Sequence, residues 1–218
     1  MFDFSIIWKQ LDYFLVGALV TLGLTFVSMA LGVSIGLVVS FCRLAKIGII
    51  RILASVYVDV MRGIPFLVFL IWIFYGIPIL TQVSMSPLFA GIACLSLKYS
   101  GYLAEVFRAG IQAIDKGQSE ASFSLGFSKL QTWRRIIVPQ AIKIVLPPVG
   151  NYLVGMLQDS AVVMVVGIWE LMRRGNSVAN SSLKPFEIYT TVAVFYLIMT
   201  IALSRGNRYL ESRLRTDR

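Results

Sequence analysis

The stretch YFLVGALVTLGLTFVSMALGVSIGLVVSFC, residues 13–42, decides the fold of this chain. It runs for 30 positions without a charged residue, which is longer than the roughly 20 apolar residues that a helix needs to cross a bilayer. The basic sequence CRLAKIGIIR begins at its last residue. A long uncharged segment with Lys and Arg at one end is typical of a transmembrane helix that ends in the cytoplasm. We therefore predict a first span at about 13–42.

The composition of the whole chain agrees with a membrane protein. Its 218 residues are 57% hydrophobic and only 14% charged, with a mean hydropathy of +0.79, well outside the usual range of soluble domains. The apolar blocks and their connections leave no room for a soluble catalytic domain. We predict an all-α integral membrane protein with a single transmembrane domain, 1–218.

Other function classes find little support in the residues. The net charge of +9 reflects the Lys and Arg that membrane proteins collect on the cytoplasmic side, so we expect no nucleic-acid partner. Cys42 and Cys94 lack metal-ligand spacing and the chain has no histidine, so we expect no metal site and no disulfide. No nucleophile and base or paired carboxylates share one depth, so we predict no catalytic residues and no enzyme.

Four further spans follow along the chain. Residues 63–97 lack charges but are too many for one span, and the polar and proline residues of 78–87 mark a turn between two. We place the spans at about 62–80, 87–108, 141–168 and 188–204. Residues 43–61 and the segment WELMRRGNSVANSSLKPFE (169–187) are then connections, the second of them outside the cell.

The basic residues orient these five spans. With the N-terminus outside and the C-terminus in the cytoplasm, 15 of the 20 Lys and Arg residues lie on the cytoplasmic side. The exceptions are Lys9, Lys98, Arg173, Arg174 and Lys184. This N-out, C-in topology places residues 109–140 in the cytoplasm, between spans 3 and 4.

Small residues repeat every four positions in the first span. They line one helix face and allow a second backbone to come close. The partner is either another helix of the same bundle or a second subunit. The residues are Ser28, Gly32, Gly36 and Ser40.

The cytoplasmic segment 115–140 carries signals for two short helices. Asp115 is a predicted N-cap with Gln118 three residues on, and Ser128 with Gln131 repeats the pattern. Gly126 is placed to end the first helix in a left-handed conformation. A passive loop needs none of these devices.

The two helices differ in the surfaces that we expect them to present. The first exposes Ala121, Ser122 and Ser124 beside Glu120, and small side chains let a partner protein approach closely. The second carries Leu130, Trp133 and Ile137 on one stripe that can anchor the unit to its own spans. From the residues alone, the pair either docks on a partner or rests on lipid headgroups.

This segment resembles the EAA loop of ABC importer membrane subunits. That pattern is Glu-Ala-Ala, three residues, Gly, nine residues, Ile, one residue, Leu-Pro. Ser122 and Val138 depart mildly from it, and the matching positions are Glu120, Ala121, Gly126, Ile136 and Pro139.

The resemblance extends over most of the chain and narrows to the polar amino acid uptake family. The matching segments are RGIPFLVFLIWIFYGIP (62–78), GYLAEVFRAGIQAIDKGQSEA (101–121), LPPVGNYLVGMLQDSAV (146–162) and KPFEIYTTVAVFY (184–196). They occur in the family's order and at its spacing.

The resemblance implies a permease of the bacterial inner (plasma) membrane that provides the path for a polar amino acid. Its partners would be two copies of an ATP-binding subunit, a second permease copy or sister permease, an extracytoplasmic solute-binding protein and membrane lipid. The EAA loop would be the coupling helix, formed by Glu120, Ala121, Ser122, Gly126, Ile136 and Pro139. The chain has no G-x-x-x-x-G-K-[ST] loop, so ATP and Mg would bind the partner and no cofactor this chain.

Polar residues inside the predicted spans are the candidate substrate path. A basic residue at mid-bilayer costs about 2.5–3.5 kcal/mol on insertion scales, so Lys98 should face a cavity or a partner. One interpretation is a cavity that binds a zwitterion, and the other is an ion pair of Lys98 with Asp159 or Glu105. The family more often has a small or polar uncharged residue where Lys98 stands and commonly Lys where Gln158 stands. A basic charge moved from span 4 to span 3 would keep an anion-attracting site, which favours an acidic or zwitterionic substrate over a cationic one. The path residues are Lys98, Tyr102, Glu105, Gln158, Asp159 and Ser160.

Glu105 lies nearer the cytoplasmic end, where a structural or gating contact is the stronger hypothesis. An ATP-independent secondary transporter or channel would also be all-helical with charges inside the membrane. It would have no use for a capped helix pair after span 3.

Overall fold

The computed structural model describes residues 3–215, with side chains described to residue 213, and this part consists of helices joined by short connections, without strands. The two π-helical turns Trp72–Gly76 and Trp133–Ile137 and the 3₁₀ helix Ser160–Val166 interrupt or extend the α-helices. The α-helices are α1 (Ser5–Lys9), α2 (Leu11–Leu44), α3 (Gly48–Gly63), α4 (Phe66–Ile71), α5 (Ile77–Thr81), α6 (Pro87–Gln112), α7 (Lys116–Ser124), α8 (Lys129–Thr132), α9 (Val138–Asp159), α10 (Leu171–Ser182) and α11 (Pro185–Arg215).

Three helical segments of the described chain are long and apolar enough to cross a membrane: Leu11–Leu44, Lys129–Val166 and Pro185–Arg213. A fourth is added if Gly48–Gly63 and Phe66–Thr81, which are bent by 106° against each other, form one span. Helix α6 is not among them, although it packs against α2, α3 and α9 in the middle of the bundle.

The stripe of small residues on α2 packs against α6 within the same chain. A Cβ atom at Gly36 would lie 3.0 Å from the carbonyl oxygen of Ser100, and one at Gly32 would lie 3.3 Å from that of Ser96. Ser28 and Ser40 are also buried. The predicted close approach of two helices is confirmed, and its partner is α6 of the same bundle.

The bend between α3 and α4 corrects the prediction for residues 43–61. We expected a connection there, but α3 occupies most of it. Polar side chains recur on α3 at Arg51, Ser55, Asp59 and Arg62, which is the spacing of one helix face. The prediction used the charges of this segment only to orient the spans and did not test their spacing. Ile64 is extended because Pro65 disfavours helical backbone in the residue before it, and the chain turns there.

The segment 169–187 is likewise a helix and not only a loop. Helix α10 buries Leu171, Gly175, Val178 and Ala179, which are spaced as one face of a helix. Glu170 is its N-cap and accepts hydrogen bonds from the backbone N–H groups of Met172 and Arg173 at 2.8 and 2.7 Å. A glutamate is not among the preferred N-cap residues, so the usual sequence signal was lacking.

Candidate functional site

Helix α7 begins at the predicted cap. The Asp115 carboxylate accepts a hydrogen bond from the backbone N–H of Gly117 at 2.6 Å. The side chain of Gln118 faces Gln140, whose Nε2 donates to Gln118 Oε1 at 3.5 Å. Gln118 therefore contacts α9 instead of bonding back to the N–H of Asp115, as a capping box would require. The start of the helix is nevertheless where the sequence placed it.

Gly126 ends α7 in the left-handed conformation that the sequence predicted. Its φ is +80°, a value that glycine adopts without a steric penalty. The N–H of Phe127 donates to Ser122 O at 3.0 Å, and the N–H of Gly126 donates to Phe123 O at 2.9 Å. This pair of bonds is a Schellman motif, which satisfies the last carbonyls of the helix.

The second predicted cap is also present. Gln131 N donates to Ser128 Oγ at 3.3 Å and Ser128 N donates to Gln131 Oε1 at 2.8 Å, a complete capping box. Helix α8 then continues through the π turn into α9, so the second short helix is the beginning of a run from Lys129 to Val166. The wider π turn directly precedes Pro139, whose ring lacks an N–H for a regular helical bond.

The two arms of this loop are joined by a hydroxyl pair. The Oγ of Ser122 and the Oγ1 of Thr132 are 2.8 Å apart, and the two residues are only 1% and 2% exposed. The prediction that Ser122 lies on the exposed surface is therefore wrong. A serine hydroxyl bridges to Thr132, whereas the methyl group of alanine could only pack there.

The opposite side of the loop exposes apolar side chains. Leu125 and Leu130 are 76% and 67% exposed, and Phe123 is also exposed. The anchoring role predicted for Leu130 is thus wrong, whereas Ile137 is buried as expected. Of the matched motif residues, Glu120, Ala121, Gly126 and Pro139 are exposed and Ile136 is half-buried.

Lys98 is buried, with 6% exposure, and it stabilises the bend between α3 and α4. Its Nζ donates to the carbonyl oxygen of Ile64 at 2.7 Å, at the bend between α3 and α4. Its Nζ also lies 5.6 Å from the ring centroid of Tyr102, within cation–π range. Among the described residues it forms no ion pair with Asp159 or Glu105, so that alternative is not what the structure contains.

Three tyrosines gather beside Lys98, two of which the sequence did not single out. The rings of Tyr102 and Tyr152 stack with centroids 5.2 Å apart, and Tyr99 lies 5.9 Å from Tyr102. The hydroxyl of Tyr99 donates to Asp159 Oδ2 at 3.0 Å. Tyr99 therefore links α6 to Asp159 on α9. Of the three path residues predicted in span 4, Asp159 is the one for which the structure describes a hydrogen bond to this cluster.

Glu105 lies in a separate cluster toward the end of α6. Its carboxylate accepts hydrogen bonds from Arg43, on α2, and from Arg108, whose Nε is 3.1 Å from Glu105 Oε2. These bonds bind the C-terminal parts of α2 and α6 together. The structural interpretation of Glu105 therefore has direct support.

An open cavity of about 330 Å³ joins parts of both clusters. Tyr102 and Glu105 are the predicted path residues that line it, together with Arg62 and Tyr152. Gln158 is exposed elsewhere on α9. Ser160 is buried and donates to Leu157 O of its own helix at 2.6 Å, so these two lie outside the cavity. Within the described chain, no group of three or more His, Cys, Asp or Glu side chains could hold a metal ion.

The helices that are long and apolar enough to cross a bilayer identify an integral membrane protein. Residues 28–216 match the family model described as binding-protein-dependent transport system inner membrane component, and the chain belongs to that family. It is the transmembrane permease subunit of an ABC importer and not an enzyme, and the ATPase activity belongs to a separate subunit.

Individual relatives agree with this assignment. The chain is 34% identical over 215 residues to the glutamine transport system permease protein GlnP of Escherichia coli (strain K12), covering 98% of each. It is 36% identical over 210 residues to the probable glutamine ABC transporter permease protein GlnM of Bacillus subtilis (strain 168), covering 96% of this chain and 97% of the relative. A crystal structure of an amino acid ABC transporter with histidines superposes with a TM-score of 0.91 and 37% identity, over 98% of this chain and 99% of the other.

Proposed function

We propose that this permease imports a polar amino acid or a related small zwitterion and that residues 115–140 couple the transport to ATP hydrolysis. The loop carries the proposal. It is rigid for its size, because two caps, a Schellman motif and the buried Ser122–Thr132 pair fix it. It also leaves Leu125 and Leu130 in water, an arrangement that a partner surface would relieve.

The residues proposed to contact the ATP-binding subunit follow from exposure. Glu120, Ala121 and Gly126 lie on the outer side of the loop with Leu125. Ser122 acts indirectly by holding α7 to α8. Ile136 and Pro139 belong to the helical continuation that transmits movement of the loop to α9.

The proposed topology has five spans, with the N-terminus outside and the C-terminus in the cytoplasm. Helix α6 is the third span, shielded from lipid by its neighbours and therefore free to carry Lys98 and Glu105. The bent pair of α3 with α4 and α5 is the second. The basic residues of the α6–α9 connection support a cytoplasmic loop, and the membrane is the bacterial inner membrane.

The proposed substrate path includes the 330 Å³ cavity. Arg62 supplies a cation and Tyr102 and Tyr152 an aromatic wall, features that suit a small zwitterion. Lys98 would hold this wall in position, because its ammonium group contacts the Tyr102 ring and donates to the Ile64 carbonyl. Tyr99 on α6 and Asp159 on α9 would form a polar contact point nearer the outside, which the substrate meets before the cavity.

The complex would contain two ATP-binding subunits, which bind ATP and Mg, and a second copy of this chain or a sister permease. A solute-binding protein would deliver the substrate from outside. ATP-driven closure of the two ATPase subunits would move the loops and rock the two membrane halves between inward-open and outward-open states.

The test is to purify the tagged chain from its native membrane, identify the ATPase that accompanies it and measure uptake into proteoliposomes. We expect uptake that requires ATP and the recovered solute-binding protein. Replacing Leu125 with Glu should remove the ATPase from the complex, while the matched change Leu183→Glu, at an equally exposed leucine between α10 and α11, should not. Uptake by the chain without ATP would favour a secondary transporter and contradict the proposal.

A further inference from the structure

A second, smaller cavity lies on helix α10, away from the residues discussed so far. It has a volume of about 220 Å³ and its walls come from α10 and from the turn before it. This volume is below the range of drug-sized pockets and suits a single small solute. The lining residues are Met164, Trp169, Arg173, Asn176, Ser177 and Asn180.

The guanidinium of Arg173 is the unusual group in this cavity. Its Nη1 donates to the carbonyl oxygen of Met164 at 3.1 Å and its Cζ lies 4.9 Å from the ring centroid of Trp169. Its Nε is buried and has no hydrogen-bond partner within the described chain. A buried donor without a partner is costly, and few such groups occur in native structures.

No acidic side chain of the described residues compensates this charge. The nearest carboxylate in sequence, Glu170, is used elsewhere: it accepts from the N–H groups of Met172 and Arg173 and from the Tyr196 hydroxyl at 2.9 Å. Glu170 thereby also occupies the N-terminus of α10. The Arg173 guanidinium is thus fixed by Trp169 and Met164, lines the cavity and forms no ion pair with a carboxylate of the described residues.

The remaining polar groups of the cavity provide acceptors. Asn176 is engaged with Tyr189 and Asn180, since Asn176 Nδ2 donates to the Tyr189 hydroxyl and Asn180 Nδ2 donates to Asn176 Oδ1. Within residues 3–213, Ser177 Oγ and Asn180 Oδ1 have no partner of their own. Cationic donors thus stand on one turn of α10 and neutral acceptors on the next, an arrangement complementary to a carboxylate beside an ammonium.

We propose that this cavity is an outer binding site for a free α-amino acid, whose carboxylate binds Arg173 and whose ammonium group faces Ser177 and Asn180. The site rests on the proposed function, because it is the topology proposed above that puts α10 on the extracytoplasmic side. There it would receive the substrate from the solute-binding protein before the substrate enters the path beside Tyr102. Arg173 would then contribute to affinity at low substrate concentration and not to coupling.

The experiment uses the purified transporter complex in lipid nanodiscs without solute-binding protein. Each of the common L-amino acids is tested for a rise in unfolding temperature, and any that stabilises the wild type is titrated, together with its methyl ester. A ligand that binds only the folded protein raises its stability in proportion to the logarithm of its concentration. We expect at least one amino acid to bind and its ester to bind at least about 10-fold more weakly, because a charged hydrogen bond is lost.

Two variants locate that binding. Arg173→Gln removes the charge and Ser177→Leu fills the cavity, and each should raise the Kd at least about 10-fold. Ser181→Leu, on the same helix outside the cavity lining, is the control and should bind as the wild type does. If Arg173→Gln fails to fold, Ser177→Leu still decides. Absence of binding to the wild type, or binding unchanged in both variants, would overturn the proposal.

ATP-dependent uptake separates this inference from the proposed function. At saturating substrate, Ser177→Leu should keep the maximal rate while its KM rises. If the wild type takes up substrate with ATP but the KM of Ser177→Leu is unchanged, the outer site is wrong and the importer stands. If the wild type shows no ATP-dependent uptake, the proposed function itself fails.

Discussion

The loop 115–140 and the interior cluster of Lys98, Tyr99, Tyr102 and Asp159 depart from ordinary burial in opposite directions. The loop exposes Leu125 and Leu130, whereas the interior cluster holds Lys98 and Asp159 among packed helices. Each departure has a local support. The loop is fixed by caps and by the Ser122–Thr132 pair, and the interior by the bonds from Lys98 to Ile64 and from Tyr99 to Asp159.

Two kinds of residue stand apart in these regions. Lys98 and Glu105 are paired with protein groups and hold helices in place. Leu125 and Leu130 on the loop are exposed apolar side chains, and the Nε of Arg173 on α10 is a buried donor without a hydrogen-bond partner in the described chain. Under the proposals made above, the second kind marks where a partner and a ligand bind, and the first keeps those places in position.

The largest effect is expected from the backbone of the loop. Gly126→Val forces a β-branched residue into φ +80°, at a cost of about 1–2 kcal/mol, and should lower ATP-driven uptake by about 5- to 30-fold. A Cβ there would meet no atom within 4 Å, so the damage comes from the conformation and not from a clash. Gly126→Asn is the matched control, because asparagine tolerates this conformation, and it should keep most of the uptake. Equal uptake by the two variants would show that the turn is dispensable.

The largest effect on stability, as distinct from uptake, is expected at Lys98. Lys98→Met keeps the length of the side chain but leaves the Ile64 carbonyl without its charged donor, so we expect a loss of about 1.5–3 kcal/mol in stability. The measurement is thermal unfolding in nanodiscs, with Lys116→Met, an exposed lysine, as the control. Unchanged stability with a raised KM for uptake would contradict the supporting role and show that Lys98 belongs to the substrate path.

A smaller effect is expected from Tyr99→Phe. It removes the hydroxyl that donates to Asp159 and should cost about 1 kcal/mol, measured as unfolding temperature. Because Asp159 loses its bond across to α6, the KM for uptake should also change, by less than about 10-fold. Tyr75→Phe, a half-exposed tyrosine of the π turn, should alter neither quantity. Identical behaviour of the two variants would contradict a role of the Tyr99–Asp159 hydrogen bond in the substrate path.

The smallest effect is expected at the surface, where satisfied charges are exposed. The Lys184 ammonium, 2.6 Å from Asp3 Oδ2, lowers the pKa of Asp3 below its ordinary value. A lowered pKa means that the pair contributes above the ordinary pKa of aspartate and loses its contribution as pH falls toward the lower one. Asp3→Asn should therefore lower the unfolding temperature slightly at neutral pH and low salt, and not at acid pH or high salt. A difference that persists in high salt would contradict this account.

The sequence predicts best what depends on neighbours along the chain. The caps at Asp115 and Ser128 and the turn at Gly126 depend on residues within one helical turn, and the structure contains all three. The small stripe on α2 was predicted because its spacing is a property of one helix. The span 13–42 needed only its lack of charge.

What the sequence could not predict depends on which elements meet. Ser122 is buried because Thr132 lies across from it, and Lys98 is paired with a carbonyl at a bend whose angle no local pattern encodes. Helix α10 was missed because its cap is Glu170, whose bonds to Tyr196 and to the backbone require the folded bundle. Arg43 as the partner of Glu105 lies 62 positions away, beyond any motif.

The docking of the loop on the ATPase is tested most directly by a cross-link between the two. In a variant whose two cysteines are replaced, Leu125→Cys is introduced on the loop and Leu183→Cys, at a residue that is 85% exposed, between α10 and α11. The co-purified complex is treated with a short thiol-to-amine cross-linker and separated by mass. We expect Leu125→Cys to be joined to the ATP-binding subunit, more efficiently with nucleotide than without, and Leu183→Cys not to be joined. A cross-link from Leu183→Cys and none from Leu125→Cys would contradict both the docking role of the loop and its cytoplasmic location.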